Sequence, residues 1–262
     1  MKGEMLTIIK KDIRGVTSNR RLFLPLLIVP IVLTIIVPSI FILVTHYVPE
    51  ETEDFQKLLE QIQISQLNGS LEMTVIHLML NYILPIFFLL IPIMSASIMS
   101  ASAFVGEKEK RTLETLLYCP LSLKQIFQAK VLASFLLSMF VSITSFIVML
   151  IVLETEIFFV ANSVILPGLK WLLILVLVSP AISLIAITLM VRVSAKAQSV
   201  EDAQQSAVFL ILPILFLIIG QFTGILLINT WILLGIGILC LALACFLFRR
   251  SLRNFKYEML LK

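Results

Sequence analysis

The stretch AQQSAVFLILPILFLIIGQFTGILLINTWILLGIGILCLALACFLF, residues 203–248, contains no Asp, Glu, Lys or Arg. The hydrocarbon core of a bilayer is about 30 Å thick and takes about 20 helical residues. At ~1.5 Å per residue the 203–248 run would be roughly 69 Å long as one helix, too long for one crossing and enough for two. Gly220, Gln221, Thr223, Gly224, Asn229 and Thr230 interrupt its apolar character, so a turn belongs within 220–230.

Working outward, four more charge-free stretches cover 22–49, 73–106, 131–153 and 171–191. Each accommodates one crossing, which gives an all-α integral membrane fold of six spans at about 22–45, 73–105, 131–153, 171–191, 207–227 and 231–248. The spans form one transmembrane unit, 22–248, between an amphipathic segment, 1–21, and a basic tail, 249–262. The second stretch exceeds one span and falls short of two. It reads as a single long helix kinked at Pro85 or Pro92, with its lower end beyond the hydrocarbon. Pro25, Pro30, Pro38, Pro180 and Pro213 fit inside spans because neighbouring helices can satisfy the freed carbonyls.

Composition agrees. Of the 262 residues, 60% are hydrophobic and 14% charged, against about 45–50% and about 25% in an average soluble domain. The mean hydropathy is +1.07. Such a chain has too few charges to cover a soluble surface, which excludes soluble enzymes, nucleic-acid-binding modules and secreted disulfide scaffolds. Of the three cysteines, Cys240 and Cys245 fall inside an apolar run and read as small hydrophobes. The first apolar run is too long for a signal peptide's apolar region, so no cleaved secretory signal is expected.

The charge distribution sets the orientation. Six spans put 1–21, 106–130, 192–206 and 249–262 on one side, with 18 of the 20 basic residues. The positive-inside rule makes that side cytoplasmic and predicts a multi-pass cell-membrane protein with both termini inside. A five-span count would leave Arg249, Arg250, Arg253 and Lys256 outside, against the rule. The outer loop 46–72 is acidic, with Phe55, Leu58, Leu59 and Ile62 at helical spacing.

The charge-free spans offer no proton relay or ion ligand of the kind ion-coupled pumps use. His46 and His77 lie near outer helix ends without enough companions for a metal site. No Gly-Lys pair exists to build a phosphate-binding loop. The chain is therefore expected to be no enzyme and to hold no cofactor; any energy for uphill transport must come from another subunit.

The most informative loop is Glu107-Lys-Glu-Lys-Arg-Thr-Leu-Glu-Thr-Leu-Leu-Tyr-Cys-Pro120-Leu-Ser122. Charges of alternating sign, Glu107 to Arg111, open it. Leu113, Leu116 and Leu117 follow at i, i+3, i+4 with Glu114 between them, a short amphipathic helix stopped at Pro120. Ser122 caps the next helix, whose Lys124 and Lys130 sit at the membrane edge. A short amphipathic helix can dock in a partner's groove or lie on headgroups.

These residues resemble the hallmark of ABC-2 type permeases, the membrane subunits of ATP-binding-cassette exporters. Thr112, Leu113, Glu114, Leu116, Leu117, Pro120, Ser122 and Lys130 match the family pattern, and Arg111 stands where many members have Gly. The resemblance implies a coupling helix near 107–119 docked on a cytosolic ATPase subunit, with Glu107, Glu109, Arg111, Leu113, Glu114 and Leu117 as coupling residues. It also implies that ATP and Mg belong to that partner, and that a second permease subunit, identical or related, completes the pathway.

The second inner loop, with Lys196, Gln198 and Glu201, is Ala- and Gln-rich as in the sodium-extruding permease group, and is expected to make a second ATPase contact. No buried carboxylate in a span supports an ion as cargo. Leu6, Ile9, Ile13 and Val16 at helical spacing, with Lys10, Lys11 and Arg14 opposite, predict an interfacial helix where the family has an elbow helix. Small residues from Ser95 to Ala103 suit close helix packing or the wall of a wet pathway. The competing function is a membrane assembly or maturation factor that docks a cytosolic partner without transport.

Overall fold

A computed structural model describes residues 2–47, 71–112, 121–161, 167–222 and 229–254. An N-terminal helix α1, Lys2–Thr17, precedes six helices long and apolar enough to cross a membrane. These are α2 (Arg20–Thr45), α3 (Thr74–Glu109), α4 (Leu123–Phe159), α5 (Leu169–Ser194), α6 (Val200–Gln221) and α7 (Thr230–Arg253). Among the described residues there is no strand. The last apolar run is indeed two helices, separated by 222–229. The helices overrun the charge-free stretches that announce them, so Lys130, Glu154, Glu156 and Lys170 stand on helices near their ends.

The long helix α3 is the pillar. Of its most apolar window 83% is buried, against 17% in α7, because α4, α5 and α6 surround it while α7 packs mainly on α5. Small residues make this possible: Ser95, Ala96, Ser97, Ser100, Ala101 and Ala103 are all buried, letting neighbouring backbones approach. Ser95 and Ser138 hydroxyls lie 3.1 Å apart, Ser138 and Ser183 3.0 Å apart, and Ser138 donates to the Pro92 carbonyl at 3.0 Å. This polar seam joins α3, α4 and α5 inside one chain. These serines serve packing.

Prolines write the irregularities of the bundle. Three π-helical turns, Val32–Ile36, Met79–Ile83 and Ile174–Val178, each end two residues before a proline, namely Pro38, Pro85 and Pro180. A proline offers no N–H and its ring crowds the carbonyl four residues back. The ladder widens in response: the N–H groups of Val37, Leu84 and Ser179 reach five residues back, to Val32, Met79 and Ile174. In α3 this leaves the Leu80 carbonyl without a helical donor, since Leu84 pairs elsewhere and Pro85 has none to give. The indole N–H of buried Trp171 on α5 fills that vacancy at 2.9 Å. Trp171 also packs edge-on to Phe88 at 5.5 Å and against Phe146 at 5.4 Å, so one ring ties α3, α4 and α5.

Pro92 acts more abruptly. It breaks α3 at Leu89, whose N–H bonds Ile86 in a tight turn at 3.1 Å. Irregular turns therefore precede both Pro85 and Pro92, a wide one and a tight one.

α1 has a bundle-facing line beside the expected stripe. Leu6 points outward, 64% exposed, and the buried line is Ile8, Asp12 and Val16, flanked by Ile9 and Ile13. This face packs on the start of α4, the end of α3 and α2. A carboxylate thus sits in the middle of an apolar face. Cys245 is exposed on α7 and Cys240 half-buried; neither is in a disulfide.

A candidate coupling site at the basic end of the bundle

α1, the end of α3, the start of α4, the end of α5 and the start of α6 converge at one end of the bundle. The end of α7 joins them, where Phe248 stacks on Phe127 at 6.2 Å. Most of the described basic residues lie at this end.

Lys130, on the second turn of α4, is the centre. Its side chain is 3% exposed. The ammonium group donates to Glu107 Oε2 at 2.8 Å and to the Ala103 carbonyl, and lies 3.8 Å from Asp12 Oδ2. The Phe104 ring adds a cation–π contact at 5.7 Å. Glu107 takes a second charged donor, Lys11 of α1, on its other oxygen. Two cations and two anions therefore close one knot between α1, α3 and α4, which offsets the cost of burying charge. Burial holds the Asp12 carboxyl above its ordinary range; Lys130 and Lys11 oppose that rise and Glu107 adds to it. Beside the knot, between α1 and the end of α3, lies an open cavity of about 470 Å³ bordered by Lys11, Asp12, Glu107 and Lys110.

The end of α3 is a Schellman turn. Thr112 N–H bonds the Glu107 carbonyl at 3.0 Å and Arg111 N–H bonds the Lys108 carbonyl at 3.1 Å. That arrangement puts the residue after the helix cap in the left-handed region, where glycine is preferred. Here the residue is Arg111, with φ 54°. The family pattern's glycine at this place has a physical reason, and this chain keeps the turn without it.

The two loops of this end are tied together. The Lys108 ammonium donates to the Ala197 carbonyl at 3.3 Å. Glu109 Oε2 accepts the Val200 N–H at 3.0 Å, while Ser199 Oγ accepts the Asp202 N–H at 3.1 Å. Glu109 is thereby an acid at the N-terminus of α6, where the helix dipole favours negative charge. Lys196, Gln198 and Glu201 are exposed around this cap. An open concavity of about 610 Å³ adjoins them, bordered by Lys196, Asp202 and Phe209.

The predicted coupling residues separate into groups. Glu107 is buried and Glu109 is exposed, yet both bind the chain's own groups. Arg111 is exposed at the turn. Leu113, Glu114 and Leu117 lie outside the described residues, as do most of the acidic outer loop and the turn between α6 and α7. Sequence reading missed Lys11, Asp12 and Lys108. For Asp12 a signal existed: an acid at i+4 from Ile8 and i−4 from Val16 on a helix of known amphipathicity. Lys108 and Ala197 are 89 positions apart and carried none.

At the opposite end, Asn81 Oδ1 accepts the Gly168 N–H at 2.9 Å, and Lys170 lies 3.2 Å above the Tyr82 ring. Ser39 donates to Glu156 at 2.5 Å, joining α2 to α4.

Among the described residues the bundle is helical, with six helices long and apolar enough to cross a membrane and most of the basic residues at one end, the layout of a multi-span membrane protein. The profile of the ABC-2 family transporter protein matches residues 6–233, nearly the whole bundle. The chain belongs to that family and is a permease of an ABC-type transporter. No curated protein and no solved structure gives a significant match.

Proposed function

We propose that this permease forms, as a homodimer or with a related subunit, the pathway of an exporter driven by a separate ATPase. The basic end faces the cytoplasm, both termini included. ATP and Mg bind on the ATPase, and this chain holds no cofactor and makes no contact with nucleic acid. The segment near 107–119 receives the ATPase, with Leu113, Glu114 and Leu117 at the contact and Arg111 at its base. Lys196, Gln198 and Glu201 supply a second contact from the neighbouring loop.

The observation that carries this reading is the tether between the loops. Lys108 to Ala197 and Glu109 to Val200 bind the segment before Leu113 to the cap of α6, and the Glu107–Lys130–Lys11 knot anchors it to α1 and α4. A partner pushing on either loop would push against four helices at once. Glu107 and Glu109 act in this reading as positioning residues that hold the docking segment, while the groups after Arg111 meet the partner.

Crosslinking tests it. With Cys119, Cys240 and Cys245 replaced by Ser, Glu114→Cys and Gln198→Cys should each form adducts with a co-expressed ATP-binding-cassette ATPase carrying groove cysteines. If the complex purifies intact and neither position reacts, the docking assignment is wrong.

A further inference from the structure

We propose that the chain holds a site for a single lipid acyl chain, enclosed between α3, α5, α6 and α7. A cavity of about 200 Å³ lies there, bordered by Ile93, Ala186, Leu210, Leu217, Leu233 and Cys240. Its border is hydrocarbon apart from the Cys240 sulfur. Water gains nothing in such a space, because it would find no hydrogen-bond partners. An apolar void left empty in a packed interior is destabilising, so the cavity favours an apolar occupant.

Shape selects the occupant. Leu210 and Leu217 on α6 are seven residues apart, as are Leu233 and Cys240 on α7, so the cavity runs about 10 Å along both helices. A slot of that length and volume fits a run of methylenes better than a compact molecule. Its mouth is equally telling. α6 packs on α3 and α5, α7 packs on α5, and α6 and α7 make almost no direct contact. Pro213 lines the cavity and is also exposed on the outside, so the cavity opens sideways between these two helices. Leu212, Phe216, Ile238 and Leu239, on the outer sides of these two helices, are exposed and apolar. In a membrane, hydrocarbon is what stands at such a door. The occupant is therefore an acyl chain of a bilayer lipid, reaching in from the side with its headgroup outside.

The site depends only on the membrane setting of the bundle and stands or falls independently of ATPase docking. The test uses the full chain in phosphatidylcholine vesicles containing a lipid with a diazirine midway along one acyl chain. After illumination, adducts are mapped by peptide mass spectrometry. Inward-facing Leu217 and Leu233 should be labelled as well as outward Phe216 and Leu239. Ala186→Phe, which fills the cavity, should cut inward labelling at least fivefold and leave outward labelling unchanged. Cys240→Trp fills it from another wall and serves if Ala186→Phe does not fold. Absence of inward adducts in the parent would overturn the proposal. So would inward labelling that the filling variants do not reduce.

Discussion

Replacing Lys130 with Met keeps the stem of the side chain and removes its charge. In the parent, that charge serves Glu107 at 2.8 Å, Asp12 at 3.8 Å and the Ala103 carbonyl, from a side chain only 3% exposed. Removing one member of a buried ion pair costs about 3–5 kcal/mol, because the other member stays buried without compensation. Glu107 would keep Lys11, whose side chain is 54% exposed. A pair with so much water around one partner is worth at most ~1 kcal/mol, so Lys11 trims the loss without cancelling it. The expected cost is therefore about 3 kcal/mol, near the lower end of the range. The measurement is unfolding of the detergent-purified protein by titration with SDS, followed by circular dichroism and tryptophan fluorescence. The triple variant Lys130→Met, Asp12→Asn, Glu107→Gln removes the orphaned charges with the lysine and should recover most of the loss. Two results refute the reasoning. One is a single variant within about 0.5 kcal/mol of the parent, the scale of an ordinary surface substitution. The other is a triple variant as unstable as the single one, which would place the cost in packing.

Two further substitutions probe the tethers. Arg111→Gly should relieve about 1 kcal/mol of left-handed strain and slow hydrogen exchange at Thr112, whereas Arg111→Val should speed it; equal exchange in all three would refute the strain. Glu109→Ala removes the acceptor at the start of α6 and should cost about 1 kcal/mol locally, speeding exchange of the Val200 amide about fivefold with α3 unaffected; unchanged exchange at Val200 would sink the capping role.

The six helices were legible because membrane helices announce themselves by what they lack. Runs without charge at 22–49, 73–106, 131–153, 171–191 and 203–248 sufficed to count six spans, the last run being divided in two. They were poor guides to where helices end. Nothing in the pattern prevents α4 from continuing past Leu153 to Phe159, carrying Glu154 and Glu156 with it. The prolines foretold irregularity in the second helix, and the carbonyl-to-indole bond from Trp171 to Leu80 follows only once two helices are side by side. At the basic end, the alternating charges of 107–111 were conspicuous, but their targets were not. A charge run looks solvated in one dimension. Here two of its acids are taken up by the chain itself: Glu107 is buried against Lys130, and Glu109 stays exposed but caps the start of α6. On α1 the spacing of Leu6, Ile9, Ile13 and Val16 marks an apolar stripe, but not that the covering helices meet the neighbouring line of Ile8, Asp12 and Val16 and leave Leu6 outward.

The three wide turns bear on how this chain can be compared with relatives. A π turn accommodates one more residue than the α turn it replaces, and each residue turns an α-helix by about 100°. Straightening such a turn by substituting Pro38, Pro85 or Pro180 alone would rotate everything beyond it and carry core side chains such as Trp171 or Asn81 off their partners. In this chain proline and extra residue thus form a matched pair at each of the three turns. A family member lacking one of these prolines should be one residue shorter in the same helix, and a sequence alignment that places no gap there would be aligning opposite faces.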